Sequence, residues 1–256
     1  MIIFSNEEAF FKSKGIKYRE GQRNPIVLPK TAIAVYSREL FYRFITTFFT
    51  KEVGYLSLAN FEKNIYVLRH KGLCFTLFMA GVSGPIISAD IEALAASGVE
   101  KFIIFGNCGV LHEHIDDLKI IIPTRAYRDE GTSQHYIPDS EYIDVNPKYQ
   151  EIFKDVLGDY SLDFETGYTW TTDAFFRETP SKIEYFRNKG CVCVEMEAAT
   201  IAAVCKAKGL DYFTFFYAGD NLGGKEWDER SLSGKTRLDE KAKLLHLALD
   251  FAVEID

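Results

Sequence analysis

Short hydrophobic runs recur along the chain, separated by stretches in which polar and hydrophobic residues mix. The runs that are rich in β-branched and aromatic residues cover positions 31–36, 64–68, 73–80, 101–105, 118–122, 191–194 and 212–218. Most of them are nearly continuous rather than alternating, which is typical of strands that are covered on both faces. The pattern therefore predicts a set of buried β-strands.

Helical patterns lie between these strands, at positions 39–48, 86–96, 196–208 and 238–253. The third is rich in alanine and is followed by Gly209, a residue type that commonly ends helices. Strands that alternate with helices predict an α/β fold with a mostly parallel sheet and helices on both faces.

Ligands of such sheets bind beyond the carboxyl ends of the strands. The loops of interest therefore begin after positions 80, 105, 122, 194 and 218. The polar stretches 127–147 and 221–236 are further candidates for functional loops, because long connections in compact domains commonly carry function.

The composition indicates one ordinary globular domain over residues 1–256. Of these residues 47% are hydrophobic and 26% are charged, and a chain of this length can form one substantial core. The formal net charge of -7 gives no general attraction to nucleic acid. No hydrophobic run reaches the roughly 18 residues that span a membrane, and acids stand where a signal peptide needs a basic start. We therefore expect a cytoplasmic protein without nucleic-acid or membrane partners.

Cysteine, histidine and glycine patterns exclude several kinds of site. The five cysteines include no CxxC pair and lie in hydrophobic or small-residue surroundings, which predicts buried, reduced thiols. His112 and His114 have no third ligand nearby, so no metal site is predicted. Residues 219–226 nearly match a P-loop, but Glu226 replaces the hydroxyl residue that holds Mg²⁺, which argues against an NTPase.

Two glycine-containing loops follow predicted strands. The first, GVSGP at 81–85, leads into a helix, where small residues and the helix N-terminus favour close approach of an anion. The second, GNCG at 106–109, does not match the dinucleotide fingerprint. A tight turn explains the first loop equally well, and close packing explains the second.

Acidic residues follow two other predicted strands. Glu195 and Glu197 flank Met196 at the start of the alanine-rich helix. The helix dipole favours acids there, yet two carboxylates at the end of a buried strand are costly without partners. A polyol such as ribose would supply hydrogen-bond donors. Asp220 directly follows the last predicted strand and, taken alone, is equally well explained as a turn or cap residue.

Together, these segments resemble the nucleoside phosphorylase and uridine phosphorylase family. The most specific piece is VEMEAATIAAVCKAKGL followed by FYAGDNL, and GVSGP, GNCGVL, IPTRAYRDEGTSQHY and TDAFF occur in the family's order, within residues 77–221. The resemblance implies a three-layer α/β fold with a central mixed β-sheet flanked by helices, assembled as a homo-oligomer (dimer, trimer or hexamer). It also implies cleavage of a nucleoside N-glycosidic bond with phosphate as co-substrate, without metal or organic cofactor.

The resemblance also implies roles for individual residues. Asp220 would be the general acid at purine N7, and Glu197 would bind the ribose hydroxyls. The nucleoside would be surrounded by Met196, Glu195, Phe175, Gly109 and Cys108. Phosphate would be held by Gly81, Ser83, Asn107 and Arg38. These residue types suit the chemistry, because a carboxylate positions the sugar and an acid at N7 makes a purine a better leaving group.

The chain departs from the family where phosphate would bind. The Gly-Asp-Pro-x-Arg motif is replaced by AVYSR at 34–38, and Ile104 stands where the family has an arginine. Phosphate is normally held by arginines. Other arginines could compensate, either from other loops or from a neighbouring subunit, and these are Arg69, Arg125, Arg128, Arg230 and Arg237.

We therefore expect phosphorolysis of nucleosides to free base and ribose 1-phosphate. Purines are favoured because uracil has no N7, and because residues 166–177 lack a clear Gln and Arg pair for uracil. Two alternatives stay open: a nucleosidase that uses water in place of phosphate, and a nucleoside-binding protein with weakened catalysis.

Overall fold

The structure is a computed structural model that describes residues 16–17, 27–58 and 60–256. Its strands are β1 (Thr31–Val35), β2 (Phe49–Ser57), β3 (Glu62–His70), β4 (Leu73–Met79), β5 (Lys101–Val110), β6 (Ile120–Asp129), β7 (Tyr142–Asp144), β8 (Phe164–Thr172), β9 (Cys191–Glu195) and β10 (Asp211–Asn221). Its α-helices are α1 (Arg38–Thr47), α2 (Gly84–Ala95), α3 (Gln150–Asp159), α4 (Pro180–Asn188), α5 (Ala198–Lys208) and α6 (Leu238–Ile255). Short 3₁₀ helices cover Ser133–His135 and Phe175–Arg177.

The strands form one mixed sheet in the order β2-β3-β4-β1-β5-β9-β8-β6-β10, with β7 on β6. Because β10 also pairs with β5, strands β5, β9, β8, β6 and β10 form a closed loop. The pairs β1–β4, β1–β5, β5–β10, β6–β8 and β8–β9 are parallel. The pairs β2–β3, β3–β4, β5–β9, β6–β7 and β6–β10 are antiparallel.

The mixed sheet confirms the fold that the family resemblance implied. The mostly parallel sheet expected from alternating strands and helices is wrong, because half of the pairings are antiparallel. Strands β2, β7 and β8 and helices α3 and α4 were not predicted. Strand β2 is half-exposed and mixes charged with hydrophobic residues, so it shows no continuous hydrophobic run.

Helices cover both faces of the sheet, which gives three layers. On β1, Ala32 and Ala34 pack on the side of α2 and α5. Ile33 and Val35 face the opposite side, with α1, α3 and α6. Alternate burial on two faces explains why the run of β1 is continuously hydrophobic. Helix α5 is buried along most of its length and ends at Gly209, whose φ of 67° is left-handed, as its sequence predicted.

Two further predictions concerned membrane-spanning segments and the burial of the cysteines. No α-helix of the described part of the chain is both long and apolar enough to cross a membrane. All five cysteines are free, and four of them are buried. The expectation that every thiol is buried is wrong for Cys74, which is exposed on β4 opposite Arg69.

Candidate active site

A cavity of about 730 Å³ opens at the carboxyl ends of β1, β5, β9 and β10. This is where ligands of α/β sheets bind. Its lining residues are Tyr36, Val82, Asn107, Cys108, Gly109, Phe175, Phe176, Glu178, Val194, Glu195, Met196, Glu197, Phe216, Asp220, Leu222, Trp227 and Leu232. The cavity therefore brings together all seven residues that the sequence proposed for the nucleoside, which are Cys108, Gly109, Phe175, Glu195, Met196, Glu197 and Asp220.

Asp220 lies at an irregularity of β10, where the pairing with β5 shifts register between Ala218 and Asp220. Such bulges redirect side chains. The Asp220 carboxyl is buried, and its Oδ2 accepts a hydrogen bond of 2.8 Å from Nε1 of Trp227. Burial raises the pKa of Asp220, and the Trp227 hydrogen bond and the charge of Arg230 partly oppose this. A raised pKa keeps the Asp220 carboxyl protonated to a higher pH than the carboxyl of an exposed aspartate.

Glu195 lines the cavity, and both oxygens of its carboxylate accept hydrogen bonds from other parts of the protein. Its Oε1 accepts hydrogen bonds from Oγ1 of Thr171 at 2.6 Å and Oγ1 of Thr169 at 3.1 Å. Its Oε2 accepts from the backbone N–H groups of Glu197 and Ala198, each at 2.7 Å. Because both oxygens are already bonded, Glu195 fixes the start of α5 and the position of Glu197.

Glu197, which the resemblance assigns to the ribose hydroxyls, is buried and lines the cavity. Its Oε1 accepts a hydrogen bond of 2.6 Å from the backbone N–H of Ser83. Burial, reinforced by the neighbouring charge of Glu195, raises the pKa of Glu197 to about 8. A ligand that donates hydrogen bonds to this carboxyl would favour its ionised form.

The loop before α2 is tied to protein carboxylates. The N–H of Gly81 donates to Oδ2 of Asp90 at 2.9 Å, while the N–H of Ser83 donates to Glu197. Asp90 also forms a buried ion pair with Lys63 of β3. Neither Gly81 nor Ser83 lines the cavity, which Val82 reaches instead. The structure therefore does not place these two predicted phosphate ligands at the cavity surface.

No lysine, arginine or histidine of the described residues lines the cavity. Its ionisable acids are Glu178, Glu195, Glu197 and Asp220. Arg38, predicted to bind phosphate, is 69% exposed and lies 3.5 Å from Glu39. Ser37 caps α1 by accepting a hydrogen bond from the N–H of Leu40, so Arg38 begins the helix and points outward. Among the expected phosphate ligands, only Asn107 lines the cavity.

The arginines proposed as substitutes are engaged or exposed elsewhere. Arg69 is exposed, and Arg125 binds Asp144. Arg128 binds Ser133 and Ser140. Arg230 binds Asp228 and the Ile115 carbonyl, and Arg237 binds Asp117 and Glu240. None of these arginines therefore lines the cavity of its own chain, and their contribution from a neighbouring subunit stays a prediction.

Tyr36 stands at the end of β1, where the sequence motif of the family is missing. Its ring lies against Gly106, since a Cβ at that glycine would be 2.7 Å from Cδ2 of Tyr36. Its hydroxyl is buried and has no hydrogen-bond partner among the described residues. Burial and the nearby acids raise the pKa of Tyr36 well above its usual value, so the hydroxyl keeps its proton. Tyr36 therefore adds a neutral polar group to the cavity that Asn107 also lines.

Aromatic side chains form another part of the cavity wall. Phe175, predicted to surround the nucleoside, is 51% exposed, and Trp227 is 57% exposed. Glu178 lies beside them, and burial together with the charge of Asp220 raises its pKa to about 7. The sequence had no signal for Glu178 or Tyr36. Trp227 lies in the polar stretch 221–236, which the sequence predicts to be a functional loop.

The polar stretch 127–147, the other predicted functional loop, contributes no residue to the lining of the cavity. Its Arg128 binds Ser133 and the Pro138 carbonyl, and Glu130 accepts a hydrogen bond from Thr200 of α5 at 2.9 Å. These bonds pack the loop onto α5, and a functional role for the loop stays a prediction.

Comparison with known proteins defines the class. Residues 43–250 match the family model described as the phosphorylase superfamily. The chain therefore belongs to the phosphorylase superfamily, and it is an enzyme of the nucleoside phosphorylase type. Phosphorylases of this kind take phosphate as co-substrate and need no cofactor. Within the described part of the chain, no group of three or more metal-ligating side chains lies together.

Named relatives are similar to particular parts of the chain. A guanosine phosphorylase of Halorubrum lacusprofundi is 28% identical over 191 residues, which are 73% of this chain and 77% of the relative. A uridine phosphorylase of Haemophilus influenzae is 25% identical over 51% of this chain and 57% of its own length. The crystal structure of a purine nucleoside phosphorylase from Toxoplasma gondii in complex with immucillin-H has a TM-score of 0.75 at 17% identity, covering 91% of this chain and 96% of that one. This structural likeness concerns the fold.

Proposed function

We propose that the protein cleaves purine nucleosides by phosphorolysis, releasing the free base and ribose 1-phosphate. The observation that carries this proposal is that the buried acids Asp220 and Glu197 line one cavity, together with Phe175 and Met196, which the resemblance assigns to the nucleoside. The similarity to a guanosine phosphorylase supports a purine substrate.

Asp220 acts on the base in this mechanism. When the glycosidic bond breaks, its electron pair moves to the purine, and a proton at N7 neutralises the developing negative charge. Burial keeps Asp220 protonated to higher pH than an exposed aspartate, so it can deliver that proton. The Trp227 indole holds the carboxyl in position through Oδ2.

Glu197 acts on the sugar. The ribose gains oxocarbenium character as the bond breaks, and a carboxylate bound to its hydroxyls keeps the ring in place for attack. Glu195 supports this role by fixing the backbone N–H of Glu197 at 2.7 Å.

Replacement of Glu197 by glutamine is expected to lower kcat/KM for guanosine by about 10- to 100-fold, the range for losing hydrogen bonds to a charged group. Steady-state kinetics with ribonucleosides and 2′,3′-dideoxynucleosides measure it. The defect should largely disappear with the dideoxy substrates, which have no hydroxyls for Glu197 to bind. An equal loss on both substrates would remove Glu197 from sugar recognition.

A second candidate function is hydrolysis, with water in place of phosphate. It is favoured by the cavity itself, because no basic side chain of the described residues lines it and several carboxyls do. A phosphate dianion is poorly stabilised in such surroundings. Water can be held by neutral groups such as the Tyr36 hydroxyl and the Asn107 amide, and a cavity carboxylate can take the proton that water loses when it attacks the sugar.

Product analysis separates the two reactions. The enzyme is incubated with guanosine, inosine, adenosine and uridine, with and without phosphate, and base and sugar products are separated by chromatography. We expect purine release that requires phosphate and yields ribose 1-phosphate. Free ribose formed at equal rates without phosphate would establish hydrolysis instead. The Asp220→Asn variant, purified identically, controls for contaminating host enzymes.

A further inference from the structure

A buried ion pair lies outside the cavity and is connected to it through the backbone. Lys63 of β3 binds the Asp90 carboxylate of α2, and Oδ2 of Asp90 accepts a hydrogen bond of 2.9 Å from the N–H of Gly81. Two residues further on, the N–H of Ser83 donates to Oε1 of Glu197 at 2.6 Å. A continuous series of contacts therefore joins Lys63 to the cavity acid Glu197.

The loop between these two hydrogen bonds has a constrained backbone. Ser83 has a φ of 95°, a positive value that residues other than glycine rarely adopt, so this conformation persists only where surrounding contacts impose it. At the other end of the loop, a Cβ on Gly81 would lie 2.2 Å from Cγ2 of Ile86 and 3.0 Å from Oδ2 of Asp90, so the backbone packs directly against that acid. Asp90 and Glu197 therefore each hold one end of the loop.

Lys63 keeps the acid at the first end of the loop in its charged form. Burial raises the pKa of Asp90, whereas the charge of Lys63 and its hydrogen bond lower it. An ionised carboxylate is a stronger hydrogen-bond acceptor than a neutral carboxyl, so the pairing strengthens the hold on the Gly81 N–H. Neither Lys63 nor Asp90 lines the cavity, so the pair can affect the reaction only through the loop.

We propose that the Lys63–Asp90 pair positions the sugar acid: by fixing Gly81 and Ser83, it sets the direction of the Glu197 carboxyl and thereby the recognition of the ribose hydroxyls. Lys63 and Asp90 are positioning residues and do not touch the substrate. This inference rests on the proposed function, because it requires Glu197 to bind the ribose. It does not depend on whether phosphate or water attacks the sugar.

The test compares two double variants that both remove the buried charges. Lys63→Met with Asp90→Leu (the apolar pair) leaves the Gly81 N–H without an acceptor, whereas Lys63→Gln with Asp90→Asn (the amide pair) keeps an amide oxygen for it. We expect kcat/KM for guanosine to fall by about 10- to 100-fold in the apolar pair, the effect of a small misplacement of a positioning group, and to stay close to the wild-type value in the amide pair. Urea unfolding shows that each variant is folded under the assay conditions. Lys30→Met, which breaks the exposed pair with Glu100, is the matched control and should leave kcat/KM unchanged.

Substrates without sugar hydroxyls show whether the effect passes through Glu197. With 2′,3′-dideoxyguanosine the apolar pair should match the wild type, because this substrate has no hydroxyls for Glu197 to bind. In a Glu197→Gln background the apolar pair should cause no further loss on guanosine, since residues that act through one group are not additive. A general loss of stability would instead lower the activity on both substrates.

Several results would overturn the positioning role. These are an unchanged kcat/KM for guanosine in the folded apolar pair, an equal loss on guanosine and the dideoxy substrate, and an additive loss in the Glu197→Gln background. The amide pair gives an independent answer if the apolar pair does not fold, because a loss on guanosine as large as that of Glu197→Gln would also overturn the role. A Glu197→Gln variant that recognises guanosine normally would instead overturn the proposed function.

Discussion

Replacement of Asp220 by asparagine is expected to lower kcat for guanosine or inosine cleavage by a factor on the order of 10² to 10⁴, the usual contribution of a general acid. Asparagine keeps the size of the side chain and can still hydrogen-bond to N7. It cannot transfer a proton, so the departing purine would leave as an anion. Substrate binding should therefore change much less than turnover.

A substrate that needs no proton gives the decisive measurement for Asp220. The base of 7-methylguanosine already carries a positive charge at the imidazole ring, so its departure does not depend on an acid. We expect Asp220→Asn to cleave 7-methylguanosine at close to the wild-type rate. Asp228→Asn is a suitable control, because the Asp228 side chain is 63% exposed and lies on the same loop outside the cavity. An equal defect on guanosine and 7-methylguanosine would rule out proton donation by Asp220.

Replacement of Lys63 by methionine is expected to destabilise the protein by about 3–5 kcal/mol, the cost of leaving one charge of a buried pair without its partner. Lys63 is 4% exposed and Asp90 is 1% exposed, so water cannot replace the lost ammonium. Burial lowers the pKa of Lys63 and raises the pKa of Asp90, and each charge counters this effect on the other. The free energy of unfolding in urea measures the change.

Two further variants make the Lys63 result specific. Lys63→Met combined with Asp90→Leu should recover most of the lost stability, because apolar residues replace a buried ion pair at little cost. Recovery should be incomplete, since the N–H of Gly81 loses its acceptor. Lys30→Met breaks the exposed Lys30–Glu100 pair and should change stability little. If Lys63→Met were as mild as Lys30→Met, the ion pair would not hold the loop before α2.

Much of the framework could be predicted because its signals are local. Continuous hydrophobic runs predict β1, β5, β9 and β10 whatever their partners in the sheet. The alanine-rich sequence of α5, followed by Gly209, predicts a helix and the position of its end. The acids at 195, 197 and 220 could be placed at strand ends for the same reason. Strands β2 and β8 were missed because polar residues interrupt them, and their partners in the sheet stabilise them.

The character of the site was decided by contacts between distant parts of the chain. The pairing of β10 with β5 closes the loop of strands and brings Asp220 opposite Gly109. Lys63 and Asp90 are 27 positions apart, and only packing of α2 against the sheet makes their attraction strong by excluding water. Arg38 was expected in the cavity, yet the cap at Ser37 turns it outward and leaves Tyr36 inside. Hydrophobic periodicity depends on neighbours in sequence, whereas burial, charge and pKa depend on neighbours in space.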